Sequence, residues 1–91
     1  MAGFGDSTPS KNKKKGSKKG PQLFEAAVIA HKKGDITNAE MLYLNAINSG
    51  FQHEIAFSNL GVIYKNTLRE KKAIAMYERA IAKNPNFADA Y

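Results

Sequence analysis

Two histidines, a serine set among apolar residues and a dense lysine run are the groups in this chain whose types could do chemistry. His31 and His53 fall on different expected helices, with no HExxH spacing and no cysteine to complete a metal site. Both read as solvated or groove-edge side chains. Ser58 has no base partner at a recognisable spacing, so a serine nucleophile has nothing to activate it. Gly16 and Gly20 lie in a Lys-rich stretch with no strand before it, which argues against a phosphate-cradling loop. The expectation is a chain with no catalytic residues, no metal and no cofactor.

The lysines are the strongest charge signal. Lys11, Lys13, Lys14, Lys15, Lys18 and Lys19 face only Asp6 within the first twenty residues, whereas the other 71 residues hold eight Lys or Arg against seven acids. The first twenty residues therefore carry +5 of the net charge of +6. Rich in Gly, Ser, Asn and Pro, residues 1–19 bury too little to offset their ordering entropy, and disorder is expected. Such a tail serves either as a solubilising leader or as a weak, non-specific contact for polyanions through counterion release. No arginine or interleaved aromatic residue accompanies its lysines, so base reading and stacking are not available to it.

The same tail precedes Leu23–Ala30 in a way that imitates a signal peptide, but Glu25 interrupts the apolar run. No stretch approaches the ~18 apolar residues of a membrane span, and Ala2 excludes N-myristoylation. The absence of cysteine means that nothing demands an oxidising compartment, and the expected location is the cytoplasm.

Helical periodicity accounts for the remainder. A first helix is expected from about Gln22 to Lys33, with Pro21 at or before its first turn. After the turn Gly34-Asp35-Ile36, Thr37 and Glu40 have the spacing of a capping box that opens a second helix ending near Ser49, with Gly50 as a left-handed stop. A third helix should span about His53 to Asn66 and a fourth about Arg69 to Lys83, ended by Asn84-Pro85-Asn86. Ala27, Ala39, Ala46, Gly61, Ala73 and Ala80 suit close helix approach. Leu42, Tyr43, Ile47, Phe57, Leu60, Tyr64, Ile74, Tyr77 and Ile81 recur at spacings that fill the space between helices.

Phe57-x2-Leu60-Gly61-x2-Tyr64, followed by Ala73, Tyr77, Ala80 and Pro85, resembles the tetratricopeptide repeat (TPR) signature. Moving back by the family's 34-residue period, Ala39, Tyr43 and Ala46 match Ala73, Tyr77 and Ala80 in type. The resemblance implies an all-α solenoid of antiparallel helical hairpins: a divergent repeat at 20–53, a second at 54–87, and the start of a third at 88–91. Leu68 takes the turn position of Gly34, so that turn must avoid φ > 0 or carry strain.

Members of the family are typically scaffolds or adaptors that bind peptides in a concave groove lined by the first helix of each repeat. Counting from the repeat starts, the groove positions are Phe24, Val28 and His31, then Ile55, Ser58, Val62 and Lys65, with Asn59 nearby. These residues either contact a peptide or pack against a neighbouring repeat. The family's carboxylate clamp needs Lys and Asn where this chain has Phe24 and Val28, so that mode is not expected.

The opening Gly3-Phe4-Gly5-Asp6 and the lysine run also resemble the leaders of bacterial, marine cyanobacterial multi-repeat proteins. Some of those continue into glycosyltransferase- or sulfotransferase-like domains, which makes a recruiting arm of such an enzyme the alternative function. Because about three repeats are usually needed for a stable stack, the chain is expected to be a piece of a longer protein or to self-associate through its fourth helix.

Overall fold

A computed structural model describes residues 19–86. It is all-helical over that range: α1 (Lys19–Lys32), α2 (Ile36–Asn48), α3 (Glu54–Asn66) and α4 (Glu70–Lys83). Short connections force antiparallel neighbours, so α1 pairs with α2 and α3 with α4, while α2 packs on α3 to join the two hairpins. Residues 88–91, expected to open a third repeat, lie outside the described range.

The three turns share one design. Gly34, Gly50 and Leu68 have φ of 83°, 103° and 64°. In each turn this residue's N–H bonds three residues back, Gly34 to His31, Gly50 to Ile47 and Leu68 to Lys65. The following N–H reaches five back, Asp35 to Ala30, Phe51 to Ala46 and Arg69 to Tyr64. This pair of bonds is the Schellman motif, which satisfies the last carbonyls of a helix. The Gly34 and Leu68 turns are 34 positions apart and repeat one another bond for bond. Leu68 adopts the left-handed conformation despite its Cβ and is 92 % exposed, so no packing offsets the strain.

The core is one continuous cluster that includes Tyr43, Phe57, Leu60 and Ile63, each at most 1 % exposed, together with the small residues Ala27, Ala39, Ala56 and Ala80. Gly61 is required by space: a Cβ there would lie 2.8 Å from Cε1 of the buried Tyr77 ring. Ile74, expected to fill the space between helices, is instead 48 % exposed. It lies on α4, whose principal neighbour among the described residues is α3.

Two local expectations are corrected. α1 begins at Lys19, earlier than Gln22, because Pro21 falls in a first turn where no N–H is needed and buried Gly20 fits against Phe51. The capping box at Thr37 and Glu40 does not form: Thr37 lies inside α2, and Asp35 at the N-cap makes no side-chain cap bond. Glu40 is drawn elsewhere. Its carboxylate accepts two bonds from the Arg69 guanidinium, at 2.9 and 2.7 Å, clasping one hairpin to the next. A charge-assisted bidentate pair outweighs a single neutral cap bond. Arg69 also lies 4.8 Å from the Tyr64 ring centroid and donates to Thr67 Oγ1 at 3.0 Å.

The remaining helix ends follow expectation more closely. His53 caps α3 by accepting from the Ile55 N–H at 3.2 Å. Asn84 ends α4 in extended geometry before Pro85, and its side-chain oxygen accepts from the Asn86 N–H.

Replacing Leu68 by Gly should relieve the left-handed strain and raise stability by about 1 kcal/mol, whereas Gly34→Ala should lower it by a similar amount. Urea unfolding midpoints check both; a lowered midpoint for Leu68→Gly would contradict the strain. The hydrogen bonds from Arg69 hold the Glu40 carboxyl below the usual carboxylate range. Its folded pKa is thus below the unfolded value, so its stabilisation is complete above the unfolded pKa and is lost as pH falls through the folded one. Glu40→Gln should flatten that acid limb in a pH series of melting temperatures, leaving a protein less stable near neutrality.

Candidate functional site: a polar cleft on the hairpin face

Helical spacing puts Val28 and His31 on one face of α1, three residues apart. α2 lays Tyr43 beneath them, and α3 brings Asn59 from the next hairpin. Together with Lys32 these residues line a cleft of about 280 Å³. Its lining is mainly apolar, Val28 included, with polar atoms from His31, Tyr43 and Asn59 set in it.

The Tyr43 side chain is fully buried, yet its hydroxyl is satisfied. Asn59 Nδ2 donates to it at 3.2 Å, and His31 Nδ1 lies 3.3 Å away. While it accepts from Asn59, the hydroxyl still has a proton to donate to Nδ1, an arrangement available to the Nε2–H tautomer of the imidazole. Burial pushes the Tyr43 hydroxyl pKa up, and the bond from Asn59 opposes that shift. Tyr43 therefore stays a neutral donor through the physiological range. The His31 ring also stands edge-on to Tyr43, 6.0 Å between centroids at 82°.

The expected groove residues divide by location. Val28, His31 and Asn59 converge on the cleft. Phe24 is partly buried and ties α1 to the core, 5.9 Å from the Tyr43 ring and 5.0 Å from Phe51. Ser58 and Val62 are partly buried on α3, and Ile55 is 42 % exposed near its start. Lys65 lines a separate cleft of about 170 Å³ with Glu70, Ala73, Ile74 and Tyr77. Two of its lining residues, Lys65 and Tyr77, lie 34 positions after His31 and Tyr43 of the first cleft; the others have no counterpart there.

Tyr43 and Lys32 are the site residues that groove counting misses. Tyr43 was assigned to the core from its repeat position, and its ring is there. Its para hydroxyl nevertheless extends past the ring to the cleft, a reach that an aromatic at helical spacing always carries when it is tyrosine.

Among the described residues, no group of three or more His, Asp or Glu is placed to hold a metal ion. No described helix is long and apolar enough to cross a membrane. Of the lysine run, Lys11, Lys13, Lys14, Lys15 and Lys18 lie outside the described residues, and Lys19 is the first residue of α1.

Tyr43→Phe should cost about 1 kcal/mol by leaving Asn59 and His31 without their shared partner. The specific readout is ¹⁵N NMR of the imidazole. The Nε2–H tautomer should dominate for neutral His31 and give way to a tautomer mixture in the variant; an unchanged ratio would show that the hydroxyl does not set it.

Comparison with family models, with curated proteins and with solved structures gives no match.

Proposed function

We propose that this chain is a non-catalytic protein-interaction module of tetratricopeptide type that binds a peptide segment across the face formed by α1 and α3. The observation that carries the reading is the cleft of Val28, His31, Lys32, Tyr43 and Asn59, where side chains from three helices converge on a shared hydroxyl. A small apolar wall beside a few convergent polar groups is the usual composition of a recognition site. The 34-residue repetition of the Gly34 and Leu68 turns supports the tetratricopeptide assignment.

The chemistry favours an extended or helical peptide that sets an aliphatic side chain against Val28 and offers an acceptor to the donors at His31, Lys32 and Asn59. Ile55 extends the apolar surface toward the start of α3.

Panning a displayed random-peptide library against the full chain tests this reading. Selected peptides should lose roughly tenfold or more in affinity for a chain carrying both His31→Ala and Asn59→Ala. They should bind Met41→Glu, an exposed site outside the cleft, as they bind the parent. Equal affinity for the doubly substituted chain, with helicity retained, would remove the cleft from the binding site.

A further inference from the structure

The α2–α3 junction inside the chain shows what covers a helix of this stack, and each end of the stack displays one half of it. α3 packs on both α2 and α4, whereas α1 and α4 each have one principal neighbour. The burial differences follow. α3 buries Leu60 (0 % exposed) and Ile63 (1 %), while 34 positions earlier α1 leaves Ala26 partly exposed and Ile29 55 % exposed. At the other end, α2 buries Ile47 to 5 % exposure, while its α4 counterpart Ile81 is only partly buried. Ile74, at the position of Glu40, is 48 % exposed. One end thus presents the uncovered side of an α3-like helix, and the other the uncovered side of an α2-like helix.

One charge pair agrees with this register, although the Glu40–Arg69 clasp is not reproduced, its counterparts being Ile74 and Asp35. Within the chain, Asn59 of α3 reaches across to Tyr43 beside His31. The position 34 before Asn59 is Glu25, an exposed acid on α1, and the counterparts of His31 and Tyr43 are Lys65 and Tyr77 in the second cleft. A second copy docking its α1 on α4 in the internal register brings Glu25 to Lys65. Acid and base then flank Tyr77 as amide and imidazole flank the Tyr43 hydroxyl inside the chain.

We propose that the chain associates head to tail, α1 of one copy covering α4 of the next in the register in which α3 covers α2. The two faces differ, so the contact is heterologous and leads to open growth rather than a closed dimer. Each added copy closes one more cleft, as Asn59 closes the first. One helix against one helix is a small interface, and association is therefore weak, with Kd on the order of 100 μM.

Sedimentation equilibrium of the full chain from about 10 μM to about 1 mM tests this. The weight-average mass should rise past that of a dimer without a plateau. Ile29→Glu and Ile74→Glu should each stop growth, with unchanged circular dichroism because both side chains are exposed. An equimolar mixture of the two variants should form a heterodimer and nothing larger, since each supplies the face the other lacks. Glu25→Lys and Lys65→Glu should each weaken association severalfold, and both together in one chain should recover it.

A parent chain that stays monomeric throughout would overturn the proposal. So would a dimer abolished by Ile74→Glu but indifferent to Ile29→Glu, which would mean a symmetric contact through α4. Failure of the charge-swapped chain to recover would reject the register and the proposal with it.

Discussion

The architecture depends on how closely a helix can approach its partner across a tyrosine ring. At Gly61 even a methyl group would collide with the Tyr77 ring. The equivalent position in the first hairpin is Ala27, fully buried, with Tyr43 as the equivalent ring. With its helices this close, each hairpin packs a tyrosine ring against a small residue on the partner helix. In the first hairpin the ring lies in the core and its hydroxyl, buried as well, is held by His31 and Asn59 at the floor of the cleft. Packing and polar bonding are thus joined in one residue: the group that fills the core of the first hairpin also holds His31 and Asn59.

The two hairpins are similar in backbone and different in chemistry. Their turns match bond for bond, but one turns on glycine and the other on a strained leucine. Asp35 occupies the first N-cap, whereas Arg69 occupies the second and reaches back to Glu40. The side chains at equivalent positions have diverged in the roles they serve, while the hydrogen-bonded frame that holds them has not. This division is expected where backbone geometry is set by local turn bonding and the side chains answer to different neighbours.

Most of the frame is legible in the residues. The small positions Ala27, Ala39, Ala46, Gly61, Ala73 and Ala80 are all buried, as their spacing implies, and Gly34, Gly50 and Pro85 mark turns. Helix ends are legible to within a few residues. What was not legible depends on pairs distant in sequence. Thr37 and Glu40 satisfy a local capping pattern, and nothing nearby reveals that an arginine 29 residues on will take the carboxylate. Ile74 has the right spacing for a core residue, but periodicity cannot say whether a helix lies opposite. Of the residues that counting names, Val28, His31 and Asn59 line the first cleft and Lys65 another, while Tyr43 is buried as its spacing implies and still borders the first cleft through its hydroxyl.

The Glu40–Arg69 clasp also governs how the molecule comes apart. In a linear array each unit's stability is its own plus what it shares with its neighbours, and only the shared part makes unfolding concerted. Here the shared part is the α2–α3 contact together with this one ion pair. Conditions that leave the helices intact but release the carboxylate shorten the cooperative unit, from two hairpins toward one. A denaturation curve would then broaden before its midpoint moved far, because the loss falls on communication between the hairpins rather than on either hairpin itself.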